Sequence, residues 1–392
     1  MMRIAVLGGA GMMGRITVRD LVETAPAEVE ILIADYDLAA ADALAKTLGS
    51  PRLRTVRIDA NDVADSAQVL AGSFMVVNTA QHKFNVPVME ACLRAGSHYT
   101  DLGGLFHVTR KQLELHSRFR EAGLVAVLGM GAAPGIVNVL ARKAADPLDR
   151  VDEIHVLVGS EDNTVGRTPS VFGASYSMET IIEEATEPAA LFTGGDWAFV
   201  EALSGESDVD FPAPVGRQRP ARTLHSEVAT LPLSYRDKGV REVSFRIAFS
   251  EDLVTKLRFL RSLGLFSITP VRVGGAEVSP RSLMLRLLRD VPPGDPGGVP
   301  NEYEVLRVVV IGSVGGREIE TTIDCHCRGI PEWGFGVDVD TGCPPSIVAQ
   351  LILRREISGR GCLPPELAVP VAPFVAELEK RHMRIEERTV NR

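Results

Sequence analysis

The feature that most constrains this chain is a compact strand–helix–strand pattern at its start. Residues 3–7 form an apolar run that predicts a buried strand, and the glycine-rich stretch GGAGMMG at 8–14 follows directly. Residues 13–23 have the apolar spacing of a helix, and residues 30–34 predict a second strand that ends at Asp35. This order of elements is the repeating unit of a parallel sheet.

The glycine-rich stretch contains G-x-G-x-x-G, and each glycine has a mechanical reason. Gly9 allows a tight turn, Gly11 lets the backbone approach a pyrophosphate, and Gly14 lets the helix pack closely on the strand. Asp35 lies 21 residues beyond Gly14, where an acid accepts the ribose hydroxyls of NAD. The structural context on both sides favours dinucleotide binding over a merely structural glycine turn.

The charge at the end of the second strand indicates which dinucleotide is preferred. The carboxylate of Asp35 repels the 2′-phosphate of NADP, for which an Arg is usually required. Tyr36 and Asp37 follow instead, and no Arg or Lys occurs before Lys46. We therefore predict NAD as the cofactor in preference to NADP.

The alternation of strands and helices continues to about residue 138 and predicts a Rossmann-like, doubly wound parallel sheet of an α/β protein. Polar residues stand at the carboxyl ends of its strands, where ligands collect in such sheets. These residues are Asp35, Asp59, Asn78 and Asp101. Each of them could instead cap the helix that follows, but four along one edge favour a site.

The pattern changes after Asn138, and longer alternating runs predict an α+β second domain with a mainly antiparallel sheet. We predict a dinucleotide-binding domain over 1–138, a substrate and dimerisation domain over 139–340, and C-terminal helices over 341–392 that pack back on the first domain. The charged run 377–388 is interpreted as a solvated helix face and tail. An exposed antiparallel sheet in the second domain makes a homodimer the expected assembly.

Composition excludes several classes of protein. A net charge of −9 and a pI near 5.5 argue against a nucleic-acid partner. No uninterrupted apolar stretch is long enough to predict a membrane span. Five scattered cysteines suit a reducing cytoplasm. Cys325 and Cys327 flank His326, but no second pair stands at zinc-ligand spacing, so no metal is predicted.

The order of motifs resembles the saccharopine dehydrogenase family, and the NAD-linked lysine 6-dehydrogenase branch is most similar. The matching stretches in the first half are GGAGMMG at 8–14, ADYD at 34–37, RIDANDVADSAQVL at 57–70, VVNTA at 76–80, EACLRAGSHYTDLGG at 90–104 and GMGAAPGIVNVLA at 129–141. Those in the second half are YSMETIIEEATEPA at 176–189, HSEVATLPLSY at 225–235 and PPSIVAQLILRREISGRGCLPPE at 344–366.

The resemblance implies which residues hold the cofactor. The pyrophosphate would lie on Gly9, Ala10, Gly11, Met12, Met13 and Gly14. Asp35 would hold the adenosine ribose, and the adjacent Tyr36 would also contact the cofactor. Asp59 and Ala60 would lie at the edge of the adenine. Asn78, Thr79 and Ala80 would lie along the cofactor, while Pro134, Gly135 and Asn138 would separate the nicotinamide from the substrate.

The family reaction moves a hydride between the nicotinamide and a carbon that bears nitrogen, so the amine needs a base. Asp101 is the first candidate for this base and His225 the second, with His82, His98 and His107 as competitors. An amino-acid carboxylate is best bound by a guanidinium, for which Arg167 and Arg222 are candidates. Tyr176, Ser177 and Thr230 could supply neutral hydrogen bonds to the substrate.

These expectations combine into an NAD(P)-dependent dehydrogenase that acts on the CH–NH or CH–NH2 group of an amino-acid substrate, lysine- or saccharopine-like, or of a polyamine-like one. Two alternatives stay open: an NAD-binding sensor or structural protein without turnover, and an enzyme that uses bound NAD internally, as in homospermidine synthesis.

Overall fold

The computed structural model describes residues 2–168, 171–172, 177–292, 294–295 and 297–392. Its first part alternates strands with helices, as the apolar periodicity predicted. The elements are β1 (Arg3–Leu7), α1 (Met12–Thr24), β2 (Glu30–Asp35), α2 (Leu38–Leu48), β3 (Leu53–Arg57), α3 (Val63–Leu70), β4 (Met75–Asn78), α4 (Asn85–Ala95), β5 (His98–Asp101), α5 (Leu105–Leu113), α6 (His116–Glu121), β6 (Val125–Val127) and α7 (Ile136–Ala145).

Longer strands and scattered helices make up the rest. They are β7 (Arg150–Asp162), α8 (Met178–Thr186), β8 (Ala189–Thr193), β9 (Asp196–Val200), β10 (Val209–Asp210), β11 (Arg217–Gln218), β12 (Ala221–Arg222), α9 (Glu227–Ser234), β13 (Glu242–Ile247), α10 (Glu251–Ser262), β14 (Val271–Val273), β15 (Ala276–Val278), α11 (Pro280–Leu288), β16 (Glu302–Val314), β17 (Arg317–Cys327), α12 (Val339–Gly342), α13 (Pro344–Leu353), β18 (Gly361–Leu363), α14 (Pro365–Ala368), α15 (Val371–Glu379) and β19 (Arg384–Asn391).

The first sheet is parallel throughout, in the order β18-β6-β5-β4-β1-β2-β3. Helices cover both faces, so the central strands are continuous apolar runs, and Ile4, Ala5 and Val6 are fully buried. The strand order reverses between β1 and β4, which opens a crevice at their carboxyl ends. The predicted Rossmann-like sheet is thereby confirmed.

The second sheet is mixed and mainly antiparallel, in the order β19-β17-β16-β7-β13-β8-β9, with β12 paired to β13. β13 runs parallel to β7, while β16 and β17 form a long hairpin that turns at Gly315 and Gly316. The inner face of this sheet carries Val156 and Val308, which share one apolar core with Val77 and Val127 of the first sheet. The two sheets are therefore held together by continuous hydrophobic burial.

The C-terminal segment contributes one strand to each of the two sheets, which the sequence did not indicate. Its strand β18 lies beside β6 in the first sheet, and β19 pairs antiparallel with β17 in the second. The interpretation of residues 377–388 as a solvated helix and tail was wrong, because α15 ends at Glu379 and a strand follows. Backbone pairing with β17 outweighs the weak strand preference of this charged stretch.

Arg381 shows that even the charged run is partly internal. Its guanidinium is 3% exposed and donates to both carboxylate oxygens of Asp20, a fully buried residue of α1, at 2.6 and 2.8 Å. Glu377 accepts a further hydrogen bond at 2.9 Å. This ion pair attaches the end of the chain to the helix that follows the glycine-rich loop.

Within the described ranges, no helix combines the length and apolar character needed to cross a bilayer.

Candidate functional site

The glycine-rich loop makes its sharp turn one residue earlier than predicted. Gly8 has φ +73°, a left-handed conformation that favours glycine, and its N–H donates to Ala34 O at 2.8 Å. Gly9, which was expected to make the turn, is needed for a different reason. A side chain there would bring Cβ to 2.9 Å from Val6 O and 3.0 Å from the side chain of Ile33.

The two later glycines have opposite surroundings, as a pyrophosphate cradle requires. A Cβ on Gly14 would lie 2.2 Å from Gly8 O and 2.8 Å from Thr79 Oγ1, so α1 and the loop pack without room for a side chain. Gly11 is open, since of the described atoms only Gly8 O, at 3.1 Å, comes within 4 Å of its Cβ position. Gly11 directly precedes α1, and no side chain caps this helix in the described structure, which leaves the first helical amides available to an anion.

Asp35 is aimed at this loop and is not a helix cap. Its Oδ2 accepts the N–H of Ala10 at 2.9 Å, and its Oδ1 accepts the N–H of Asp37 at 3.0 Å. The caps of α2 and α3 are instead Asp37 and Asp62. The strand-end acids Asp35 and Asp59 are thus left at the mouth of the crevice, and the loop and acid together fit a dinucleotide.

An arginine that the sequence reasoning missed lies beside this acid. Arg57, at the end of β3, is directly opposite Asp35 in the strand register, and its guanidinium carbon lies 4.7 Å from the ring centroid of Tyr36. Hydrogen bonds from Asn61 lower the pKa of Asp59, and the charge of Arg57 adds to this effect. In the sequence Arg57 stands far from Asp35, and only the pairing of β2 with β3 brings the two together.

The far wall of the crevice is backbone. Thr79 donates from N and Oγ1 to Leu7 O at 2.9 Å each, which ties the end of β4 to β1. A Cβ on Gly8 would lie 2.9 Å from Ala80 N, so the two loops meet without side chains between them. The side chain of Asn78 is fully buried, so at this position only the backbone is available to lie along the cofactor.

Asn78 belongs to a buried polar network beneath the strand ends. Its amide donates to Asn85 and Tyr99, while Asp101 accepts from Gly103 N, Gly129 N and Gln112 Nε2. Asp101 is fully buried, and burial raises the pKa of its carboxyl although these hydrogen bonds oppose the rise. Both oxygens are enclosed and already accept hydrogen bonds, which favours a structural role for Asp101 over the predicted role as the base. It holds the loops around it in place.

Pro134, which the resemblance places between nicotinamide and substrate, lies next to these loops. Pro134 follows a cis peptide bond and fills the space over Gly103 and Gly129, where Cβ atoms would lie 2.8 and 2.7 Å from its Cγ. Ser226, which precedes α9, accepts a hydrogen bond from Gly104 N at 3.3 Å. The second domain thus reaches the end of β5.

Asn138 and Thr230 form a second buried network with Glu366, a residue that the sequence analysis missed. Asn138 accepts from Gly135 N at 3.0 Å and donates to Glu366 at 2.9 Å, and Thr230 lies within hydrogen-bond distance of both side chains. Burial raises the pKa of Glu366. Since all three are almost fully buried, Asn138 and Thr230 connect α7, α9 and α14, and their side chains do not face the crevice.

His225 stands out among the predicted residues. It precedes α9, is 7% exposed, and stacks on Phe245 with ring centroids 3.7 Å apart. Its Nδ1 is 2.5 Å from Glu227 Oε2, and its Nε2 is 3.9 Å from Glu184 Oε1. Burial by itself would lower the pKa of His225, but the two carboxylates outweigh it and raise that pKa. Glu227 is fully buried, and its Oε1 has no hydrogen-bond partner in the described structure.

The predicted substrate residues do not gather around His225. Arg167 is ion-paired with Asp162 and Glu302, and Tyr176 lies outside the described residues. Ser177 caps α8 and accepts a hydrogen bond from Gln81 at 3.4 Å, so it stands where a loop of the first domain meets the second.

Arg222 lies on the face of the second sheet opposite to His225. It pairs directly with Arg246, whose neighbour Phe245 faces His225. Because adjacent strand residues point to opposite faces, both arginines point away from His225.

The cysteines near the end of the second sheet do not form a metal centre. Cys325 and Cys327 are buried in the core, whereas His326 hydrogen-bonds Tyr303 at 2.8 Å. Among the described residues, no group of three or more His, Cys, Asp or Glu side chains is arranged to hold a metal ion.

The parallel sheet with its open glycine loop and facing acid defines an NAD(P)-binding protein of two domains. Family models agree with this class: residues 4–127 match the saccharopine dehydrogenase NADP binding domain, and residues 131–383 match the saccharopine dehydrogenase C-terminal domain. The chain belongs to the saccharopine dehydrogenase family.

Similar proteins support the same conclusion. A carboxyaminopropylagmatine dehydrogenase of Synechocystis sp. is 28% identical over 312 residues, which cover 77% of this chain and 72% of the relative. A carboxynorspermidine synthase of Vibrio cholerae is 24% identical over 304 residues, or 72% of each. The apo saccharopine dehydrogenase (L-Glu forming) of Saccharomyces cerevisiae has the same fold, with a TM-score of 0.73 over 100% of both chains at 17% identity.

Proposed function

We propose that the protein is an NAD(P)-dependent oxidoreductase that acts on a carbon–nitrogen bond of a small amine substrate. The observation that carries this proposal is the buried imidazole of His225, which lies between two carboxylates, while the adjacent Ser226 contacts the loop after β5. A base in this position serves a reaction in which an amine must lose its proton.

The residues around His225 have distinct roles in this proposal. Glu227 accepts the Nδ1 proton and fixes the ring, so that Nε2 faces the substrate nitrogen. Nε2 takes the proton of the substrate ammonium, and it returns a proton when the reaction runs toward the amine. Bound nicotinamide would exchange the hydride with the carbon that bears this nitrogen. Pro134, which packs against Gly103, would limit the access of water from this side.

We further propose a carboxyl-bearing polyamine as the substrate, in preference to lysine or saccharopine. The two relatives are named for carboxylated polyamine compounds, and the two carboxylates beside His225, Glu184 and Glu227, would favour the positive charge of a polyammonium chain. A lysine 6-dehydrogenase activity, to which the first-half motifs are most similar, is the competing assignment.

The test is oxidation of a panel of amines, followed through the near-ultraviolet absorbance of the reduced cofactor. The panel contains carboxynorspermidine, carboxyaminopropylagmatine, saccharopine and lysine, each with NAD and with NADP. We expect turnover with a carboxylated polyamine. Turnover with lysine alone would replace this substrate assignment, and absence of turnover with every amine would favour the sensor. NAD that copurifies and produces a new polyamine without net reduction would indicate internal use of the cofactor.

The cofactor assignment rests on Asp35. We propose that the loop from Gly9 to Gly14 holds the pyrophosphate and that Asp35 binds the ribose. Asp35→Ala should weaken NAD binding by about 1–3 kcal/mol because a charged acceptor is lost, and should reduce discrimination against NADP. Titration calorimetry of both dinucleotides measures this effect.

Asp37→Ala is the matched control, since Asp37 caps α2 two residues further on. Loss of this cap should cost about 1 kcal/mol of stability and leave the affinity for NAD unchanged. Equal NAD affinity of wild type and Asp35→Ala would contradict the assignment. Arg57→Gln tests whether the arginine opposite Asp35 supports binding of NADP.

The domain bounds 1–138, 139–340 and 341–392 and the homodimer stay proposals. The mass of the protein in solution, measured by light scattering, tests the dimer.

A further inference from the structure

Two arginines face each other on the outer side of the second sheet. Arg222 of β12 and Arg246 of β13 are directly opposite in antiparallel register, so their side chains lie side by side. Burial lowers the pKa of Arg246, and the charge of Arg222 lowers it further. Phe245 and His225 lie on the other face, so this pair is separate from the candidate active site.

The pair lacks the acid that such arginines normally have. The Nε atoms of Arg222 and Arg246 are both buried without a hydrogen-bond partner in the described structure, and Arg246 Nη1 donates to Ser207 Oγ at 2.6 Å. No described carboxylate forms an ion pair with either, and the residues outside the described ranges include no Asp or Glu. The adjacent Arg219 and Arg258, by contrast, are both paired with Glu206.

The backbone makes room for this arrangement. Gly205 has φ +65°, and a Cβ there would come within 1.8 Å of Arg222 Nη1 and 2.5 Å of its Cζ. The guanidinium therefore lies directly against the Gly205 backbone. Any side chain at residue 205 would displace the guanidinium of Arg222, so the glycine is required for the observed position of Arg222.

We propose that Arg222 and Arg246 form a binding site for a small oxyanion, a phosphate or a carboxylate. Like charges directly opposite on neighbouring strands destabilise a sheet, and an anion between them reverses the sign of this interaction. Guanidinium groups bind both oxyanions through paired N–H donors. The hydroxyl of Ser207 completes the site on the side of Arg246.

The experiment compares the melting temperature of the full chain in inorganic phosphate, in succinate and in chloride, at equal ionic strength. For wild type we expect an increase with phosphate, with succinate, or with both, and the effective anion identifies the source. Arg246→Gln removes one of the facing charges, so its melting temperature in chloride should be no lower than that of wild type. The apparent Kd for the effective anion should rise at least about tenfold, since a charged hydrogen-bonding partner is lost. Arg222→Gln should behave in the same way.

Arg258→Gln is the control, because this neighbouring arginine already has an acid partner. It should leave the anion response at the wild-type level. Phosphate can also enter the glycine loop, so an equal response in wild type, Arg222→Gln and Arg246→Gln would overturn the proposal. A melting temperature of Arg246→Gln in chloride well below that of wild type would also overturn it, since the arginine would then be stabilised within the protein. Neither result depends on the activity of the enzyme.

Discussion

His225→Asn should lower the turnover number for amine oxidation by about 100- to 10,000-fold, the usual contribution of a positioned general base. Asn keeps a donor toward Glu227 but cannot take a proton from the substrate, so the affinity for NAD should not change. Steady-state kinetics with the best substrate of the panel, together with NAD titration, measure both quantities. Turnover close to wild type would remove His225 from the reaction.

The pH dependence of the reaction should identify the role of Glu227. Since the two carboxylates raise the pKa of His225, the ring becomes a base only as the pH rises through that raised value. The kcat/KM for amine oxidation should therefore increase with pH. Glu227→Gln leaves burial as the main influence, which lowers the pKa of His225, so the rise should move to lower pH.

The free energy of unfolding should also depend on pH, because the folded state raises the pKa of His225. The contribution of the His225–Glu227 pair is fully present below the ordinary histidine pKa and is lost as the pH rises through the raised folded value. A control is Glu153→Gln, which removes the acid 2.8 Å from the ring of His155, on the opposite face of the sheet from Phe245 and His225. Glu153→Gln should leave the pH dependence of kcat/KM as in wild type. An unchanged pH dependence of kcat/KM in Glu227→Gln would count against the proposed proton transfer.

Arg381→Met should lower the free energy of unfolding by about 3–5 kcal/mol, because it leaves the carboxylate of Asp20 buried without its partner. In the buried pair, the attraction between the two charges offsets the free-energy cost of removing them from water. When Arg381 is lost, Asp20 still has its desolvation cost but no attraction to offset it. Urea unfolding followed by far-UV circular dichroism measures this change.

Two further variants separate this ion pair from the charged surface around it. Asp20→Asn in the Arg381→Met background removes the uncompensated charge, so it should recover part of the lost stability. Arg384→Met alters an exposed arginine of the same segment and should have a small effect. If Arg381→Met and Arg384→Met were equally stable, the buried pair would not fix the end of the chain.

The fold could be predicted largely because its signals are local. The apolar runs, the helix periodicity and GGAGMMG depend on neighbouring residues, and they led to the parallel sheet and its crevice. Residues 384–391 were misassigned because their strand exists only through pairing with β17, which lies far away in the sequence. Arg381 was missed for the same reason, since its burial depends on Asp20.

In the candidate site, too, the residues with local sequence signals could be predicted, and those placed by distant contacts could not. Asp35 could be identified from spacing, but Arg57 reaches it only through the register of β2 and β3. Asp101 and His225 are alike in sequence terms, as polar residues at the edges of apolar stretches. Only three-dimensional packing distinguishes a carboxylate enclosed by loop amides from an imidazole between two acids. Sequence periodicity also cannot indicate that Arg222 faces Arg246.

The placement of β18 has a consequence for biosynthesis. While the ribosome is still making the second sheet, β6 is an unprotected apolar edge, because the strand that covers it is translated much later. The nascent dinucleotide-binding region therefore emerges incomplete, and chaperones have a defined surface to shield until residues 361–363 arrive. A stalled or truncated translation product should aggregate through this edge.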